Sequence, residues 1–390
     1  MFAHLPVPLW DETLSSWIHR ASRGQGDYGQ LLRLSVSACD ANNGRPFSGG
    51  DFYTDEMPMF MADFDFESSQ MADLARDLSK VSTDSYRRYF ASKEGGIVPW
   101  DHRRVYCPAC LEDDIQQVGY PSWKKSWCYG TSAYCVTHGE LLKMLPMRDL
   151  GYDRAWEAFK YHTKYSEPPS GSRGWFSAHD SAYRHLLAKR VQVWLQSLSR
   201  RGQTILPGTD TSVFGPSLAA SVHATYSILL RQRTRYSTGG FAKTLVRRQR
   251  PESSALDKPL PVRLKLGVYE STPYERMCAL LVVGIIFRVI KGSETARLDG
   301  LARAAGSKWP TNVRRIGQQA IDFKNLEEYV VVRKLFQGVE RAVMEHIADF
   351  IDGMETNTLS MRDLRTVSTA TGRSGKAMWE GWLRMPESMM

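Results

Sequence analysis

Four residues in this chain have the types and spacing for metal chemistry: Cys107, Cys110, Cys135 and His138. Two residues separate Cys107 from Cys110, and two separate Cys135 from His138, in Y-C-P-A-C-L-E-D-D and Y-C-V-T-H-G-E-L-L. Each pair can set two ligands on one tight turn, and two such turns brought together make a closed tetrahedral zinc site. Three thiolates and an imidazole leave no position for water. The expected role of the metal is therefore structural rather than catalytic. Two rival readings stay open at this level. Cys107-Pro108-Ala109-Cys110 could be a redox C-x-x-C, which wants a strand before it within a βαβ unit, and V-P-W-D-H-R-R-V-Y does not clearly supply one. Cys128 could replace Cys135 as a ligand, although Trp127 beside it suggests a buried apolar place.

No second chemical constellation competes with this one. The chain has no G-x-x-x-x-G-K-[ST] and no G-x-S-x-G. Glu112, Asp113 and Asp114 sit together beside the cysteine pair, and consecutive carboxylates there read as a helix start or a solvated surface. His102 and His162 are isolated in sequence. The expectation is a non-enzyme.

The elements that must position the four ligands are helical. Asp11 reads as an N-cap with Glu12 in the first turn, and Leu14, Trp17, Ile18 and Ala21 follow at helical spacing. Leu31, Leu32 and Leu34 begin a second helix, residues 40–56 read as a loop, and 68–92 look helical again. Residues 165–175 form a linker, and 180–199 an amphipathic helix with Tyr183, Leu186, Leu187, Val191, Trp194, Leu195 and Leu198 on its periodic positions. Residues 201–216 give no firm assignment. The apolar stretch Met277 to Phe287 is too short to span a bilayer and reads as a buried helix. Strand-like alternation is sparse. The fold class is mostly α: a multi-domain helical protein with helix-turn-helix-like elements and a small structural zinc knuckle. Its expected parts are an N-terminal helical domain (1–100), a zinc-knuckle segment (101–150), a helical region with a basic loop (151–258) and a C-terminal helical domain (259–390).

Of 390 residues, 42% are hydrophobic and 24% charged, an ordinary globular balance, and the six cysteines are too few for a disulfide framework. The N-terminus lacks the basic and apolar regions of a secretory signal, so a cytoplasmic place is expected, with no membrane partner. A net charge of +9 leans toward an acidic partner such as DNA or RNA. Arg231, Arg233, Arg235, Lys243, Arg247, Arg248 and Arg250 fall within residues 231–250 with no acidic residue among them, and read as an exposed basic segment. Arg247, Arg248 and Arg250 are its candidates for phosphate contact.

Two stretches near the C-terminus have a helix-turn-helix pattern: a small residue where two helices cross, a glycine in the turn, and an apolar residue packing back. In residues 298–316 these are Ala302, Gly306 and then Val313 with Ile316, and Arg314 and Arg315 flank the apolar face. In residues 361–383 they are Ser368, Gly372 and Met378, with Arg373 and Lys376 at the start of the second helix. A plain helical hairpin gives the same pattern, and such a fold can also dock proteins.

Taken together, these residues resemble the TniQ family of transposition proteins. The family's opening, E-S-L-x-S-W-L-x-R-x-A, is matched by Glu12, Leu14, Ser16, Trp17 and Arg20. Its C-P-x-C-L, W and C-P-x-H-G-x-x-L are matched around Cys107, Cys110, Trp127, Cys135 and His138. The motifs cover roughly the first 145 residues. The resemblance implies a target-selection adaptor without transposase activity, linking target recognition to an AAA+ regulator of the TnsC type. Members near this length occur in CRISPR-associated transposons, as a head-to-tail homodimer on an RNA-guided Cascade complex, touching its crRNA-processing subunit and the adjacent backbone subunit. Longer members of the TnsD type bind a DNA attachment site directly, and a zinc-containing transcription regulator is a third reading. One departure stands out. Several such members carry a second cysteine-rich knuckle, and this chain has no cysteine between Cys135 and Cys278.

Overall fold

A computed structural model describes residues 6–23, 96–99, 102–146, 153–165, 181–198, 201–234, 239–246, 258–304, 308–323 and 325–356. The chain divides into two compact units, 1–170 and 171–390, and the boundary falls in the expected linker. The described residues are mostly α-helical, with two short antiparallel strand pairs. None of their helices is long and apolar enough to cross a membrane.

The first unit is built round the cysteine segment. Strands β1 (Val105–Tyr106) and β2 (Lys143–Met144) pair in register Val105 to Met144 and Tyr106 to Lys143. This closes the base of the loop that holds the second ligand pair. Between them, α2 (Pro108–Val118) starts with Pro108 at its first position, where the missing N–H costs nothing. It ends at Gly119, whose φ of 72° is the left-handed conformation that lets its N–H cap the Ile115 carbonyl. Helix α3 (Arg154–Lys164) packs on α2 and adds Ala155 and Ala158 to a core that includes Val105, Leu111, Trp127 and Leu142.

Helix α1 (Leu14–Arg23) begins two residues later than its sequence suggests. Thr13, not Asp11, caps it, with Thr13 Oγ1 accepting the Ser16 N–H at 3.3 Å. Asp11 instead takes a φ of 59° and accepts the Ser126 N–H at 2.9 Å, so its carboxylate serves another segment. The expected helices at 31–34 and 68–92 and the loop at 40–56 lie outside the described residues.

The second unit surrounds one buried helix, α8 (Pro273–Ile286), preceded along the chain by α4 (Ser181–Leu198), α5 (Gly215–Leu230), α6 (Phe241–Val246) and α7 (Leu260–Tyr269). Thr272 and Glu275 form a reciprocal capping box that fixes the start of α8, and from Glu275 to Ile286 every side chain is buried. Helices α4, α5 and α6 pack around it. The expected amphipathic helix matches α4, on which Leu187, Val191, Leu195 and Leu198 are buried, but Leu186 is exposed. Residues 201–216 contain a hairpin absent from the sequence reading: β3 (Gln203–Ile205) pairs with β4 (Ser212–Phe214).

The basic stretch at 231–250 is not simply an exposed segment. Arg231 is fully buried at the end of α5, and burial beside Arg263 pulls its pKa down to about 10. Residues 241–246 form α6, with Phe241, Ala242 and Leu245 buried.

The remaining helices are α9 (Gly292–Ala304), α10 (Val313–Ala320), α11 (Leu326–Leu335), α12 (Arg341–His346) and α13 (Ala348–Thr356). Helix α10 makes its most extensive packing with α13. The reason is a pair of glycines. A Cβ on Gly317 would lie 2.1 Å from the Phe350 carbonyl oxygen, and one on Gly353 would lie 2.1 Å from the Arg314 carbonyl oxygen. Only glycine permits so close a backbone approach. Gly317→Ala or Gly353→Ala should therefore destabilise the chain by about 1–3 kcal/mol. Gly300→Ala, on α9 where an added Cβ meets nothing within 4 Å, should stabilise it by up to ~1 kcal/mol. Thermal denaturation of the three variants checks both signs.

Candidate metal centre and its N-terminal clasp

Cys107, Cys110, Cys135 and His138 converge. Their ligand atoms all lie within 4.8 Å of one another. Cys107 is the extended N-cap of α2, and Cys110 sits in the first turn of that helix, so the first pair is carried by a strand-to-helix corner. The second pair sits on a turn in which Gly139 N–H bonds the Cys135 carbonyl at 2.9 Å and the His138 N–H approaches Cys135 Sγ at 3.5 Å. Tyr134 and Leu141 bridge across its base.

The spacing of these atoms fits a metal. A tetrahedron with zinc–sulfur bonds of about 2.3 Å and zinc–nitrogen bonds of about 2.0–2.1 Å has edges of roughly 3.5–3.8 Å. Cys110 Sγ lies 3.5 Å from Cys135 Sγ, and His138 Nδ1 lies 3.2 Å from Cys110 Sγ, 3.6 Å from Cys107 Sγ and 3.7 Å from Cys135 Sγ. All three thiols are buried. So close together they cannot all ionise on their own: hydrogen bonds with Cys107 and Cys135 push the Cys110 thiol up, while those with Cys107 and Cys110 pull Cys135 down. A divalent cation removes that conflict, because every thiol can then be a thiolate.

The ligand alternatives separate here. Cys128 is buried too, but its thiol points to the Lys124 carbonyl at 3.5 Å, outside the cluster. A strand does precede Cys107, contrary to the sequence reading, yet it belongs to a two-stranded antiparallel pair rather than a βαβ unit. The thiols of its C-x-x-C face Cys135 and His138. The redox reading therefore lacks its scaffold.

The three carboxylates beside Cys110 each have a partner that sequence alone did not reveal. His138 Nε2 lies 3.0 Å from Asp113 Oδ2, so the imidazole is oriented with Nδ1 toward the thiols. This is the outer-shell carboxylate that metal-binding histidines commonly use. Asp114 is buried, pairs with Lys124 Nζ at 2.8 Å and accepts from Ser122 N–H and Oγ–H at 3.0 and 2.5 Å. Glu112 lies 3.4 Å from His162 Nε2. The i, i+3 spacing of Cys110 and Asp113 on one helix was the available signal for the first of these contacts.

The N-terminal segment docks on residues 122–127. Thr13 N–H donates to the Trp123 carbonyl at 2.9 Å, Lys125 N–H to the Asp11 carbonyl at 2.7 Å, and Trp123 N–H to Ser16 Oγ at 2.9 Å. Glu12 is fully buried and receives Arg20 from two directions, Nε at 3.1 Å and Nη2 at 2.8 Å, with the Leu9 N–H at 2.8 Å. Burial pushes the Glu12 carboxyl up, against the pull of Arg20. Trp17 is buried, and its indole N–H donates to the Pro6 carbonyl at 2.7 Å. Glu12, Ser16, Trp17 and Arg20 thus act together. They clasp the N-terminal segment to the turn that carries Trp123 and Trp127, whose rings meet edge to face at 5.4 Å.

The clasp and the ligand cluster together define what this unit resembles. The family model of TniQ matches residues 4–142. No curated protein and no solved structure matches the chain. The TniQ match therefore spans both the N-terminal clasp and the complete ligand set, and ends before α3.

The candidate nucleic-acid residues fare differently. Arg314 and Arg315 are exposed on α10, and Ile316 is buried beside them, as the pattern at 298–316 requires. Ala302 is buried on α9, but Gly306 lies outside the described residues, and α10 turns its main contact to α13. Arg247, Arg248 and Arg250 lie outside the described residues. So does the whole pattern at 361–383, with Arg373 and Lys376.

Two outcomes are expected from this geometry. Asp113→Asn should weaken metal affinity by about 10- to 100-fold without unfolding the chain, whereas Cys128→Ser should keep full metal content; competition with a chromophoric chelator measures both. Arg20→Met leaves the buried Glu12 carboxylate unpaired and should cost about 3–5 kcal/mol near neutral pH. That deficit should shrink in mild acid, where a carboxyl whose pKa is raised takes up a proton, and denaturant melts at two pH values read the difference.

Proposed function

We propose that this chain is a non-catalytic target-selection adaptor in DNA transposition, with a structural zinc ion held by Cys107, Cys110, Cys135 and His138. The observation that carries the reading is the TniQ match over residues 4–142, together with the way its motif residues divide between a closed ligand cluster and a clasp. Neither arrangement offers an open metal position or an exposed nucleophile–base pair. A closed set of three thiolates and an imidazole suits a structural metal, and the adaptor reading gives the surface it supports to other proteins.

In the specific form of this proposal, the chain acts as a homodimer and bridges an RNA-guided Cascade complex to an AAA+ regulator of the TnsC type, which brings the transposase. Support comes from the resemblance of the paired motifs and from the moderate excess of positive charge, +9 over the full chain. Base pairing by the guide RNA would supply target specificity, so the adaptor need not read DNA sequence itself.

Co-expression with Cascade subunits from the same genome tests this directly. The expected result is a stoichiometric complex on size exclusion that also retains the TnsC-type regulator. A chain that elutes free of both, while binding one defined duplex sequence tightly, would replace the reading with a direct DNA-binding selector.

A further inference from the structure

In the second unit a groove of about 870 Å3 opens between the end of α8, helix α9, the start of α10 and the turn of the β3–β4 hairpin. Ile285, Ile290 and Val313 supply its apolar lining. Its charged lining is Arg288, Lys291 and Arg303, all exposed, with Asp299 as the one carboxylate.

The nearby carboxylates are already engaged. Asp299 accepts the Trp309 N–H at 3.1 Å and pairs with Arg303 at 2.5 Å. Glu294, one turn from Lys291, pairs with Arg190 at 2.5 Å and accepts the Lys291 backbone N–H at 2.9 Å. Among the described residues, no ion pair or hydrogen bond holds the side chain of Arg288 or Lys291. Arg288 is also conformationally costly. Its φ of 58° is the left-handed position that follows a helix, where glycine is the residue without strain. The chain places a long cation there instead. Beyond Val313 the same helix continues with exposed Arg314 and Arg315.

We propose that this groove is a cleat for the phosphodiester backbone of a nucleic acid, gripped without regard to sequence by Arg288 and Lys291, with Arg303 held in place by Asp299. Three exposed cations on an open groove, two of them without a hydrogen-bonded carboxylate, match a chain of phosphates, and the guanidinium fork of Arg288 suits phosphate oxygens. None of the lining residues is aromatic, so nothing in the groove stacks a base or a free nucleotide. Contacts of this kind position a duplex and do not read it. The groove lies outside residues 4–142, and the proposal stands or falls separately from the adaptor reading.

Fluorescence anisotropy of the full chain with short labelled DNA duplexes of two unrelated sequences, and with a single-stranded RNA of matched length, tests it across a salt titration. The parent should bind both duplexes equally. Arg288→Gln with Lys291→Gln should weaken binding about tenfold and lower the slope of log affinity against log salt by about 2. Lys265→Gln with Lys334→Gln, an equal loss of charge on α7 and α11, should leave the slope unchanged. Arg288→Gly separates function from folding: it should keep the melting temperature while losing affinity. Because nothing in the groove stacks a base, the loss in the double variant should be larger on the DNA duplexes than on single-stranded RNA, and the reverse overturns the proposal. The proposal is overturned if the parent binds neither, if the groove variants bind like the parent, if the charge-matched control loses as much, or if the variants affect only competition by free ATP or inorganic phosphate.

Discussion

The first unit depends on the meeting of two turns that three buried thiols alone would oppose. Cys107 and Cys110 arrive on a strand-to-helix corner, and Cys135 and His138 on a hairpin turn. The thiols form part of the hydrophobic core rather than lying above it, alongside Leu111, Trp127 and Leu142. A metal ion held by the four side chains would tie the two turns together, and the carboxylate of Asp113 fixes which imidazole nitrogen faces the thiols.

From that centre the order spreads outward along one route. The turn at 122–127 is anchored on one side by Asp114, through Ser122 and Lys124, and on the other by Asp11, Thr13 and Ser16. Asp114 lies on the helix whose first turn bears Cys110, and Ser16 lies on α1. A buried ion pair, Glu12 with Arg20, then holds the N-terminal residues against α1. The motif near the N-terminus and the ligand motif lie far apart along the chain yet form one connected structure, and a single family model spans both.

Much of this could be read from the sequence where a local rule decides the structure. The ligand spacing gave the cluster, and the unbroken apolar run at 277–287 gave the central helix of the second unit. What escaped depends on contacts between distant segments. The periodicity of 11–23 suggested Asp11 as the cap, but its carboxylate is drawn to Ser126 and Thr13 takes the role. Arg231 reads as a surface cation until the helices around it bury it. The hairpin at 203–214 is too short for strand alternation to show. Gly317 and Gly353 look like helix weak points in isolation, and only their mutual approach explains them.

A metal bound by the four side chains should hold together both the ligand turns and the N-terminal clasp. Hydrogen exchange measured by mass spectrometry, with the metal bound and after its removal by a chelator, tests it most directly. Loss of protection should appear together in residues 103–146 and in residues 9–23, while α8 in the second unit keeps its protection. Unchanged protection across residues 9–23 and 103–146 in a chain shown to be metal-free would mean that these segments hold together without a metal.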